Sequence, residues 1–176
     1  MHQKNVSPTS SNKIQSKISS ILFISLVFLS ILLTSLLFRV NIVNGASMEP
    51  TIHNGDILIT QSSYCPWFSL ERGDIVDVNA KEISVTTSDL LLKRVIGLPG
   101  ETIKFDNGKV FINGIQLKEP YTRDLASNRV NTDVIETKLK KDEYFVMGDN
   151  RNNSLDSRAF GPVKKSQIIA KLFFAS

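Results

Sequence analysis

Ser47 sits in Asn44-Gly45-Ala46-Ser47-Met48-Glu49-Pro50-Thr51, a stretch whose residue types suit a nucleophile. Gly45 and Ala46 leave little side-chain bulk ahead of the serine, so backbone can lie close to its hydroxyl and its amide. Pro50 fixes the turn beyond. A serine that attacks a carbonyl needs an open approach, a nearby base and backbone N–H groups aimed at the developing oxyanion. This stretch offers the first and the third, although the same residues also read as a plain turn between two elements. The base must come from elsewhere. His53 follows closely across the proline turn and reads as a loop residue, while His2 lies on the far side of a long apolar segment. Cys65 has no credible base of its own and no second cysteine with which to form a disulfide.

A lysine answers the need. In Leu90-Leu91-Leu92-Lys93-Arg94-Val95-Ile96-Gly97, strand alternation places Leu91, Lys93 and Val95 on one face and Leu92, Arg94 and Ile96 on the other. Both faces are mainly apolar, which predicts a strand covered on each side and one of the two adjacent cations taken out of water. Burial disfavours an ammonium and, when complete, lowers a lysine pKa by ~3 to 5 pH units, leaving an amine able to act as general base. The competing picture is snorkelling, with both stems on apolar surface and both charges in water. A third stretch, Gly148-Asp149-Asn150-Arg151-Asn152-Asn153-Ser154-Leu155-Asp156-Ser157-Arg158-Ala159-Phe160-Gly161-Pro162, is dense in turn formers and charges. A calcium loop needs Gly and Glu where this one has Ser154 and Phe160. No Gly-rich phosphate loop is present either, and locally the stretch reads as a surface loop knitted by Asx turns.

Ahead of all three stretches the chain reads as a membrane anchor. Ile18 to Phe38 is an uncharged apolar run of about the length one helix needs to cross a bilayer, and it shows no polar stripe. A cleavable signal peptide competes, but its apolar core is usually only ~7 to 15 residues, and Phe38-Arg39-Val40-Asn41 makes a poor cleavage site. The organisation expected is a disordered cytoplasmic tail at 1–17, a transmembrane helix at 18–38 and an extracytoplasmic domain at 39–176. Lys4, Lys13 and Lys17 precede the span and Arg39 follows it, which keeps the tail inside and Ser47 just past the outer membrane edge. Beyond Ser47, strands are predicted at 56–60, 75–78, 90–97, 143–147 and 168–174. Asn107-Gly108 and Asn113-Gly114 mark an antiparallel meander over 101–118. Residues 119–140 are polar and irregular. Tyr64 to Leu70 gathers aromatic residues around Pro66 and fits either a membrane interface or an ordinary core. The fold class is therefore mainly β, with antiparallel sheets behind one N-terminal helix. The 176 residues carry a formal charge of +4, yet beyond residue 38 the balance is 18 basic against 17 acidic side chains, which argues against nucleic acid as a partner.

Taken together, Ser47-Met48-x-Pro50-Thr51, Lys93-Arg94-Val95-x-Gly97-x-Pro99-Gly100 and Gly148-Asp149-Asn150-x-x-x-Ser154-x-Asp156-Ser157-Arg158 resemble the three boxes of the bacterial type I signal peptidases. These are membrane-bound serine proteases that remove signal peptides from exported proteins. The resemblance implies a Ser-Lys protease fold of packed antiparallel sheets, with Ser47 as nucleophile and Lys93 as general base. It implies that Ser154 hydrogen-bonds the lysine amine and that Asp156 and Arg158 pair to hold the site. Some relatives add a serine hydroxyl two residues before the nucleophile; Gly45 stands there, so a second oxyanion donor must be backbone or water. Val43, Met48, Ile52, Leu91 and Leu92 would form shallow apolar pockets for small side chains near the cut. The implied partners are signal peptides and the bilayer, with the secretion translocase a neighbour by proximity only, and no cofactor or metal is implied. Two other readings compete: a self-cleaving regulator, which would need a DNA-binding domain ahead of the anchor, and a non-enzymatic anchored β domain such as an adhesin or assembly factor.

Overall fold

The computed structural model describes residues 10–81, 83, 89–122 and 134–176. The chain divides into two units, Met1–Leu37 and Phe38–Ser176. The first is built on helix α1 (Ser10–Leu37), whose stretch Ile14–Leu37 has a mean hydropathy of 2.6 and is long and apolar enough to cross a membrane. Large side chains such as Phe23 and Phe28 point outward along it, an arrangement that water disfavours and hydrocarbon does not. Its hydroxyls are compatible with lipid because Ser20, Ser25, Ser30, Thr34 and Ser35 each donate to a carbonyl three or four residues back. The helix starts earlier than the apolar run, at Ser10, so residues 10–17 are helical where disorder was expected. Once the span has nucleated a helix, adding polar turns to its end costs little. The part of the expected tail before Ser10 lies outside the described residues.

The second unit opens with β1 (Phe38–Ile42), which takes Phe38 out of the expected span and pairs it with Gln61. The remaining elements in chain order are β2 (Ile57–Ser62), β3 (Ile75–Asn79), β4 (Leu90–Gly97), β5 (Thr102–Asp106), β6 (Lys109–Ile112), β7 (Ile115–Gln116), β8 (Ile135–Lys138), β9 (Glu143–Met147), the single helical turn α2 (Ser157–Phe160), β10 (Val163–Lys164) and β11 (Ile168–Ala175). Among the described residues they form a seven-stranded sheet in the order β1-β2-β11-β3-β4-β9-β10 and a four-stranded sheet in the order β7-β6-β5-β8, antiparallel throughout. The fold is mainly β behind one N-terminal apolar helix, as the strand pattern predicts. The two Asn-Gly turns have positive φ at both residues, Asn107 and Gly108 in one and Asn113 and Gly114 in the other, which matches the twist a tight hairpin needs. Strand β8 falls in the segment read as irregular. It is a polar edge strand on β5, and its half-exposed alternation leaves too weak an apolar pattern to see in sequence. Residues 123–133 of that segment lie outside the described residues.

Strand β4 carries the site. Val76 and Val78 of β3 share a core with Leu91 and Val95, while Ile75 and Leu92 belong to a second cluster with Met48, Ile52 and Leu58. Both faces of β3 and β4 are thus covered, and Lys93 and Arg94 are 2% and 9% exposed. The snorkelling alternative is ruled out, and both cations leave water rather than one.

Candidate active site

Lys93 Nζ lies 2.9 Å from Ser47 Oγ and donates to the Leu92 carbonyl at 2.8 Å. Desolvation, opposed by the negative charge of Asp156, lowers the Lys93 pKa from 10.5 to about 8. A neutral amine here keeps one N–H on the Leu92 carbonyl and offers its lone pair to the Ser47 hydroxyl. Geometry and titration therefore favour the same proton transfer, from Oγ to Nζ.

The serine is held from the third stretch. Asn150 donates its backbone N–H to the Ser47 carbonyl and its side-chain Nδ2 to the Ala46 carbonyl, both at 3.0 Å. Because a trans peptide is planar, fixing the Ala46 oxygen fixes the direction of the Ser47 N–H on the other side of that bond. Gly148 makes the approach possible. A Cβ there would stand 2.5 Å from the Ser47 carbonyl oxygen and 2.3 Å from Ser154 Oγ, distances no side chain tolerates. Gly45, at φ +124, adopts a conformation that favours glycine, and its N–H is engaged by Asn54 Oδ1 at 2.9 Å, so it does not serve as the second oxyanion donor.

Two buried ion pairs brace this arrangement. Arg158 grips Asp156 through Nε and Nη2, each at 2.8 Å, and Gly148 N–H donates to the same carboxylate at 3.0 Å. Burial pushes the Asp156 carboxyl up, but these bonds outweigh it and hold its pKa below the ordinary value. Arg94 makes the second pair, donating through Nε at 2.8 Å and Nη2 at 2.6 Å to Asp149, which also accepts from the Thr51 hydroxyl at 2.5 Å. The Arg94 guanidinium lies 4.2 Å from the Tyr121 ring centroid. The network joins β4, the turn after Ser47 and the third stretch. Sequence reading gave Arg94, Asp149 and Asn150 no role; the signal was an arginine on an apolar strand, which burial obliges to find a carboxylate.

Some expectations are corrected. Ser154 Oγ is buried and near enough to Asp156 to favour the charged carboxyl, yet it completes no hydrogen bond of normal geometry with any described residue, the Lys93 amine included. Its hydroxyl is packed against Gly148 instead. Val43, Met48, Leu91 and Leu92 line the cleft that holds Ser47 and Lys93, but Ile52 does not. At 1% exposure it is buried in the cluster with Met48 instead. The same cleft contains an acid, Asp77, so it is not apolar throughout.

The chain is 39% identical over 153 residues to signal peptidase I of Bacillus amyloliquefaciens, covering 81% of this chain and 76% of the relative. It is 40% identical over 141 residues to signal peptidase I P of Bacillus subtilis subsp. natto, covering 75% and 72% of the two chains. A crystal structure of a signal peptidase I from Enterococcus faecalis V583 aligns with 57% of this chain and 94% of its own, at 32% identity and a TM-score of 0.49. The family model described as signal peptidase, peptidase S26, matches residues 15–176, a range that takes in most of the apolar helix, the Ser47 stretch and the buried Lys93 together. The chain belongs to that peptidase family.

Proposed function

We propose that this protein is a membrane-anchored serine endopeptidase that removes signal peptides from exported preproteins, with Ser47 as nucleophile and Lys93 as general base. The observation that carries the reading is the 2.9 Å approach of a serine hydroxyl to a buried, low-pKa amine. Ser47 Oγ attacks the scissile carbonyl carbon as its proton passes to Lys93 Nζ, and the Ser47 N–H, oriented through Asn150, meets the oxyanion. Collapse of the tetrahedral adduct breaks the C–N bond, and the Lys93 ammonium gives its proton to the leaving amine. Water then adds to the acyl ester with Lys93 again as base, releasing the signal peptide carboxylate and restoring the Ser47 hydroxyl.

Substrate is an extended segment bound between residues 41–45 and the Leu90–Leu92 edge of β4. Strand β9 joins β4 only from Arg94 onward, so that edge is positioned to accept a peptide as an added strand. The chain crosses the membrane once, tail inside and catalytic domain outside; the lysines ahead of the span support this orientation. The translocase would be a neighbour through shared location alone, and the near-neutral body gives no reason to expect nucleic acid. The test is cleavage of an added preprotein by purified full-length protein: Ser47→Ala and Lys93→Ala should each abolish processing while the folded signature persists. Processing that survives the double substitution refutes the assignment.

A further inference from the structure

Asp77 is a buried acid that the cleavage chemistry does not use. It is 4% exposed, lines the cleft shared by Ser47 and Lys93, and pairs in register with Leu92, the residue before the base. Its neighbours along β3, Val76 and Val78, are fully buried. What holds it is modest: Asn41 Nδ2 at 3.4 Å, the nearby Thr60 hydroxyl, and the charge of Arg39. The same Asn41 amide is shared with Thr60 Oγ1 at 3.5 Å. A carboxylate can accept about four hydrogen bonds, more than these neighbours supply, so Asp77 has capacity for a donor in the cleft it lines. Burial dominates, and the Asp77 pKa is raised from 3.8 to about 6.

Its position along the cleft gives this acid a task. One wall runs from Ser47 back to Asn41 and the other from Lys93 back to Leu90. An extended peptide between them advances about 3.3 Å per residue and turns every second side chain to the floor. The side chain next to the attacked carbonyl falls at the Ser47 and Met48 end. The next one on that face, two residues upstream and about 7 Å on, falls toward Asn41 and the carboxyl that Asn41 contacts.

We infer that Asp77 is a specificity residue, and that it makes the cleft select a small hydroxyl-bearing side chain over an aliphatic one of equal size at the third residue before the cleaved bond. This rests on the signal-peptidase reading above and deepens it. A threonine hydroxyl at that place donates to the carboxylate and replaces the water that substrate displaces. A valine of the same shape covers the acid and gives nothing back, which leaves a buried polar group unsatisfied.

The test uses full-length protein in detergent micelles and two preproteins that differ only in Thr or Val at that residue. The unsubstituted protein should cleave the Thr substrate with kcat/KM about tenfold above the Val substrate, the scale of one hydrogen bond to a charged group. Asp77→Val should abolish or invert that ratio. Equal rates in the unsubstituted protein, or a ratio that Asp77→Val leaves in place, would overturn the inference. Asp77→Asn guards against a variant that does not fold: it removes the charge at constant shape and should shrink the ratio, and an unchanged ratio again counts against the role. Failure of the peptidase reading looks different, as cleavage of both substrates that survives Ser47→Ala, and it would take the selectivity down with it.

Discussion

Lys93 carries a titratable amine in a place where its charge is costly, and two consequences follow at the scale of this one residue. The first concerns rate. With the pKa near 8, the neutral, proton-accepting fraction rises about tenfold per pH unit below that value and levels off above it. A pH profile of kcat/KM on a peptide substrate should show this single limb, and a profile flat from pH 6 to 10 would contradict a lysine base. Lys93→Arg keeps the charge but cannot give up its proton, and should lose about 10²- to 10⁴-fold in kcat. The second concerns stability, and its sign is opposite to intuition about charged residues. The folded pKa lies below the unfolded one, so the folded state binds the proton less well and carries a penalty that is complete below pH 8. The penalty fades as pH rises toward 10.5. Lys93→Met should therefore be inactive yet more stable at pH 7, by about 3 kcal/mol. Urea midpoints at pH 7 and pH 10.5 should show the gain at the lower pH and most of it gone at the higher.

At the scale of elements, the active site is a junction of β4, the turn after Ser47 and the stretch after β9, and each joint can be tested by itself. Asp149 is fully buried against Arg94, so Asp149→Ala leaves a buried guanidinium without its carboxylate, held only by the Gly73 carbonyl, the Thr51 hydroxyl and the Tyr121 ring. Loss of about 3–5 kcal/mol is expected, visible as a lowered thermal midpoint. Gly148→Ala separates catalysis from stability. The added methyl meets the Ser47 backbone carbonyl, which cannot rotate away as a side-chain end can, so Ser47 must shift by a fraction of an ångström. A fall of about 100-fold in kcat is expected for such a displacement. Thermal denaturation should move far less than for Asp149→Ala, and the opposite order of effects would mean that this joint is structural only.

For the whole molecule, the apolar helix and the β unit divide the labour between place and chemistry. The Phe38–Ser176 unit holds all three core clusters, so removal of residues 1–37 should leave it folded in detergent. Hydrolysis of a short soluble peptide should persist. Processing of a preprotein inserted in lipid vesicles should drop about 100-fold, because the anchor turns a search in three dimensions into a local one. Equal losses on both substrates would show that the helix supports the fold rather than the encounter.

Local pattern was enough to read several parts in advance: an apolar run long enough for a membrane, strands where apolar residues alternate, tight turns at Asn-Gly, and three motifs with their order. It also made Lys93 a candidate base, because a cation on a strand apolar on both faces has few places to go. Which distant groups meet was legible in no single segment. The 2.9 Å contact of Lys93 with Ser47, the grip of Asn150 on the Ala46 carbonyl and the Arg94 pair with Asp149 all join residues far apart in the chain. So does the placement of Asp77 on the cleft floor, which strand β3 alone presents as one polar residue among valines. Such contacts arise from sheet order and from which edges curl together, and those are set by the sum of the packing across both faces of the sheet rather than by any one segment's own preference.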